Sequence, residues 1–224
     1  MVARSVSAPT LQQPPTRKRQ LLWLALAALS AWLLLAVTNH ITQNIAAIPF
    51  LWIVPLTLYL LSFVLCFESD RWYRRNGWLP PLVALIALAA YGLQDHKLGL
   101  NILWAIPLYC GALFVAVMFL HGELAALRPG TQHLTRFYLA LALGGAIGGA
   151  LVGLAAPRIL PAYYELGIGL LLTGVLAAIV MRDRKITLAI GLLLALFCAL
   201  MVWRQVQADL KSAHLMTRNF YGRL

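Results

Sequence analysis

Seven long apolar stretches, parted by short polar ones, run through the chain at 21–37, 48–67, 78–93, 102–120, 137–156, 166–181 and 186–203. Each approaches the ~20 residues a helix needs to cross the hydrocarbon core of a bilayer. Every charged side chain and every histidine, asparagine and glutamine falls outside them, as expected if a charge at the bilayer centre costs roughly 3 kcal/mol or more. Trp23, Trp52, Trp78, Trp104 and Trp203 lie near the ends of stretches, where an indole keeps its ring in the interface and its N–H in water. Pro49, Pro55 and Pro107 fall within stretches, which predicts kinks in the second and fourth helices. The pattern predicts an all-α fold, a polytopic transmembrane bundle of about seven helices spanning 21–203.

Composition agrees with a lipid solvent. Of 224 residues, 62% are hydrophobic and 11% charged, whereas soluble domains run near half apolar and about a quarter charged. The net charge of +11 comes from 18 Lys and Arg scattered in short clusters between the apolar stretches. That distribution reads as topology signals and headgroup contacts, with the lipid bilayer as partner and no nucleic acid. Cys66, Cys110 and Cys198 each sit inside an apolar stretch and read as small buried hydrophobes without metal-site spacing. Residues 1–20, with Pro9, Pro14 and Pro15 and a closing basic triplet, read as a disordered basic tail meeting the membrane. No small-residue cleavage site follows the first stretch, so it reads as a retained anchor. Residues 204–224 form a C-terminal tail.

Seven crossings with the N-terminal tail inside place 12 basic residues inside and six outside, with the C-terminus outside. If the stretch 78–93, which carries Pro80 and Pro81, dips in without crossing, the count becomes 13 and five and the C-terminus lies inside.

The densest polar cluster near lipid is Asn39, His40, Gln43 and Asn44. Helical spacing sets His40, Gln43 and Asn44 on one face, as an uncharged hydrogen-bonding site or as an interfacial turn capped by Asn39. His121-Gly122-Glu123 reads as a helix end, with Gly122 in the C′ position and Glu123 starting the next turn. Two His and one Glu spread from His121 to His133 are not a metal signature. Gly144, Gly145, Gly148 and Gly149 form overlapping small-x-x-x-small patterns suited to close helix packing. Two aromatic-acid groups, Glu68, Asp70, Trp72 and Tyr73, and Tyr163, Tyr164 and Glu165, read either as interfacial belts or as holders of an organic cation. The stretches contain no acid or histidine to serve a catalytic centre, and no metal or cofactor is expected.

Several segments resemble the membrane half of the bacterial proteins described as fused major-facilitator/spermidine-synthase proteins. They are residues 39–68 (NHITQNIAAIPFLWIVPLTLYLLSFVLCFE), the HGEL run at 121–124, the stretch 137–149, Tyr163-Tyr164-Glu165, and the RNFYG run at 218–222. The resemblance covers nearly the whole chain beyond the tail. It implies a multi-pass module of a bacterial inner membrane, followed in such proteins by a soluble aminopropyltransferase-like domain of which RNFYG resembles the opening strand. The glycine-rich acidic motif of that domain has no counterpart here. The resemblance therefore implies an anchoring or accessory role beside an aminopropyltransferase-like partner, and alternatively a small-solute, possibly polyamine, transporter.

Overall fold

Thr16 opens the first helix, its hydroxyl accepting the Arg19 backbone N–H at 3.4 Å, which satisfies one of the donors a helix start leaves over. The structure, a computed structural model, describes residues 14–45, 50–69, 71–94, 102–182, 184–212, 218–219 and 222–223. Helix α1 (Arg17–His40) thus takes in residues 17–20, expected in the tail, because Arg and Lys are good helix formers once a cap is in place. Residues 1–13 of that tail lie outside the described residues. A π-helical turn, Ile41–Ile45, continues α1.

The remaining elements are α2 (Ile53–Glu68), α3 (Arg75–Gly92), α4 (Ile102–Ala126), a 3-10 turn (Thr131–His133), α5 (Leu134–Ala150), a π turn (Leu151–Ala155) leading into α6 (Ala156–Ile159), α7 (Glu165–Val180), α8 (Lys185–Ser212) and a short antiparallel pair, Arg218–Asn219 with Gly222–Arg223. With α5 and α6 forming one rod, each rod covers one of the seven apolar stretches, and the all-α bundle is observed. The rods Arg17–Gln43, Leu103–Ala126, Thr131–Ile159 and Lys185–Lys211 are long and apolar enough to cross a membrane, and α2 and α7 are shorter apolar helices. Pro55 lies in the first turn of α2, where a missing N–H costs little, so it gives no cause for the kink expected there. Pro49 lies outside the described residues.

Side-chain contacts fix the direction of six of the rods. Trp23 near the start of α1 meets Phe137 near the start of α5 edge-on at 5.1 Å, so these two run the same way. The end of α4 joins them: the Leu127 carbonyl accepts from Trp23 Nε1 at 3.1 Å and from Arg19 Nη2 at 3.0 Å, a cationic cap on a helix C-terminus. Helix α3 runs antiparallel to α4, with Trp78 6.1 Å from Phe114. It reaches the far end of the bundle, where Gln94 Nε2 donates to the Met201 carbonyl of α8 at 2.5 Å. Helix α7 begins at that far end, with its Glu165 carbonyl accepting from Trp32 Nε1 at 2.8 Å. Helices α1, α3, α5 and α8 therefore run one way and α4 and α7 the other, and the end of α8 lies opposite the start of α1.

Helix α1 is central, packed by α4, α5 and α7, and its Trp23, Leu26 and Leu33 are fully buried with Phe119 and Phe137. Close approach depends on small residues. A Cβ on Gly144 would lie 2.6 Å from the Leu24 carbonyl, and one on Gly148 would overlap the Ala28 carbonyl. Helices α7 and α8 close the same way, Gly174 facing the Ala195 backbone and Gly191 that of Ala178, each at 2.8 Å from an added Cβ.

Candidate functional site

The polar cluster after the first stretch is divided between two neighbours. The His40 ring packs edge-on to Tyr109 of α4 at 4.4 Å, while the exposed Gln43 accepts the Tyr163 hydroxyl on Oε1 at 3.1 Å. The Asn39 carbonyl receives the Thr42 hydroxyl at 3.4 Å, and the Asn44 side chain lies outside the described residues. The π turn starting at Ile41 explains the division, because its wider winding breaks the 3.6-residue spacing on which a common face depends.

A second cluster assembles where the sequence predicts a helix end. Gly122 does not terminate α4, which continues to Ala126, with the Leu127 N–H bonded to the Glu123 carbonyl at 3.1 Å. Two features of the α2–α3 connection account for the continuation. The Tyr73 ring lies flat in the space a side chain at position 122 would fill. Glu123, though 1% exposed, is fully engaged: Oε1 accepts the Tyr73 hydroxyl at 2.6 Å and Arg75 Nε at 2.6 Å, and Oε2 pairs with Arg75 Nη2. This is the bidentate fork that best offsets the desolvation of a carboxylate. Burial, and then the Glu123 charge, hold the Tyr73 phenol well above its ordinary range, so it donates as a neutral group. Gly122→Ala should push Tyr73 off Glu123 and cost about 1–3 kcal/mol, seen as a lowered thermal midpoint in detergent; an unchanged midpoint would mean the ring does not rest on that glycine.

Two residues before Glu123, and on another face of α4, His121 meets α2. Its Nδ1 lies 2.9 Å from Ser62 Oγ, and the rings of Tyr59 and Phe63 stand edge-on to it at 4.9 and 5.4 Å. Ser62 has one hydroxyl proton, which goes to the Tyr59 carbonyl at 2.7 Å. The Ser62 oxygen therefore accepts from His121 Nδ1–H, and Nε2 carries the lone pair. Beside this pair lies a crevice of about 320 Å³ between α1, α2, α4 and α5, lined among others by Ser30, Tyr59, Phe63, His121, Tyr138 and Gly145.

Of the glycine pattern, Gly144 and Gly148 face α1, whereas a Cβ on Gly145 would meet nothing within 4 Å and one on Gly149 only the end of Leu35. The aromatic-acid groups are likewise dispersed. Tyr73 serves Glu123, the Trp72 carbonyl accepts Trp78 Nε1 at 2.9 Å, and Tyr164 donates to Asp209 Oδ2 at 2.9 Å. Glu165 is buried in the first turn of α7, and Asp70 lies outside the described residues. Among the described residues no three His, Cys, Asp or Glu are grouped to hold a metal. No family model, curated protein or solved structure matches the chain.

Proposed function

We propose that this chain is a multi-pass protein of a bacterial inner membrane with an anchoring or accessory role, the membrane module of a spermidine-synthase-like assembly with an aminopropyltransferase-like soluble partner. The observation that carries the reading, against transport, is the use made of Glu123. This buried acid is committed to Arg75 and Tyr73 and ties α3 to α4. The crevice next to it offers hydroxyls, aromatic edges and one imidazole, with no carboxylate among its lining residues. A polyamine is a string of ammonium groups, and stripping their water without an opposing charge is costly. A bundle whose buried charge joins helices, and whose cavity lacks acids, suits a scaffold better than a polyamine path.

The end of the bundle where α1 begins gathers the basic triplet at 17–19, the loop at 71–75 and the turn at 182–185. By the positive-inside rule this end is cytoplasmic, and a partner that uses cytosolic substrates meets the chain here. The test is aminopropyltransferase activity in carbonate-washed membranes of the native host, with and without the gene. Activity that falls on deletion supports the accessory role, and unchanged activity overturns it. Polyamine uptake into proteoliposomes reconstituted with the chain would replace it by the transporter reading.

A further inference from the structure

The crevice between α2 and α5 has the features of a binding site. It lies in the half of the bundle nearer the start of α1, and its walls are chiefly apolar: Phe63, Leu124, Leu141 and Ala146 beside Tyr59 and Tyr138. Phe67 of α2 and Phe137 of α5 stand 6.3 Å apart, and Phe137 is itself backed by Trp23. Its mouth faces outward past Tyr138, which is 44% exposed, on a surface that contacts lipid in a membrane-spanning bundle. A volume of about 320 Å³ is at the lower end of the range in which small-molecule sites fall, roughly 300–1,000 Å³. Gly145 contributes room, since a side chain there would project into open space.

One polar atom distinguishes this crevice from a simple packing gap. His121 is 1% exposed, and among the described residues its ring meets the Ser62 hydroxyl and the Tyr59 and Phe63 rings edge-on. Ser62 has spent its proton on the Tyr59 carbonyl, so it takes the His121 Nδ1 proton and leaves Nε2 as an acceptor. Ser30, the serine in the lining, has likewise donated to the Ala27 carbonyl at 2.9 Å. The wall thus offers a bare imidazole nitrogen and a serine oxygen with spare lone pairs beside the phenol hydroxyls of Tyr59 and Tyr138, in hydrocarbon where an unused acceptor is costly.

The geometry points to a ligand site for a neutral, membrane-soluble amphiphile that carries a hydroxyl on an apolar body, entering sideways from the bilayer and donating its O–H to His121 Nε2. Two kinds of molecule supply that chemistry, an acylglycerol and a lipid-soluble hydroquinone, and two probes separate them. Full-length protein in nanodiscs is titrated with radiolabelled dioctanoylglycerol and with a short-tailed hydroquinone, each beside its O-acetylated form. Binding at the crevice is the portion lost in Gly145→Leu, a variant whose Cβ has no atom within 4 Å and whose side chain enters the lined space.

The wild type should bind one probe about tenfold more tightly than its acetylated form, since acetylation leaves the buried acceptor unmet. His121→Phe should erase that preference while keeping some affinity for the apolar body. The probe that shows the preference names the source. No crevice-dependent binding of either probe, or equal binding of hydroxyl and acetyl forms, overturns the assignment. A preference that survives in His121→Phe, with the variant's circular dichroism and thermal midpoint unchanged, overturns it as well.

Discussion

Gly148→Leu should destabilise the bundle by about 3 kcal/mol or more, at the top of the range for overpacking a well-filled contact. The leucine Cβ would overlap the Ala28 carbonyl, which belongs to the α1 backbone and cannot rotate away. The two helices would have to separate, and α1 is the rod on which α4 and α7 also pack. In lipid, no hydrophobic drive between helices makes up for lost backbone contact, so small residues at the seam set the association. Gly145→Leu is the matched control: three residues earlier, the added Cβ has no atom within 4 Å, and the change should alter stability by less than about 0.5 kcal/mol. Thermal unfolding of both variants in one detergent gives the comparison. Equal midpoints would contradict the seam.

The second large effect is an asymmetry within the Arg75–Glu123 pair. Arg75→Met strips the partner from a carboxylate whose side chain is 2% exposed, and only the Tyr73 hydroxyl then remains to it. Uncompensated buried charge of this kind costs roughly 3–5 kcal/mol. Glu123→Met leaves Arg75 behind, but that side chain is 45% exposed and can turn to water, so its cost should be nearer about 1 kcal/mol. The double variant should therefore be more stable than Arg75→Met alone, because the second change removes the orphaned charge. Urea or thermal unfolding of the three proteins makes the cycle. Equal losses in the two single variants would show that Glu123 finds solvent, contrary to its burial.

The seven rods were legible in the sequence because bilayer-length apolar stretches leave no other way to satisfy the backbone in lipid. The end of α4 was not. His121, Gly122 and Glu123 have the composition of a helix stop, and what overrides it comes from Tyr73 and Arg75, some 50 residues away. A one-dimensional reading weighs an acid beside an apolar stretch as exposed unless its partner is also in view. The glycine pattern was legible as packing but not in phase: Gly144 with Gly148 and Gly145 with Gly149 have identical spacing, and only the position of α1 distinguishes them. The division of the Asn39, His40, Gln43 and Asn44 cluster stems from a π turn at Ile41–Ile45, for which the composition gives no signal. The His121–Ser62 pair was hidden for the same reason as the Glu123 network, since Ser62 reads as one small residue within an apolar helix.

Four rods are long and apolar enough to cross a membrane; the seven crossings expected from the apolar stretches would put the end of α8 and the start of α1 on opposite sides of it. Labelling with a membrane-impermeant maleimide tests that arrangement most directly. In a background with Cys66, Cys110 and Cys198 replaced, single cysteines go to exposed positions at the two ends, Gln132→Cys between α4 and α5 and Leu210→Cys in the last turn of α8. In intact spheroplasts Leu210→Cys should label and Gln132→Cys should label only after permeabilisation, as the positive-inside rule orients the basic end toward the cytoplasm. Labelling of both positions, or protection of both, in intact spheroplasts would put the two ends on one side of the membrane and contradict the seven-crossing bundle.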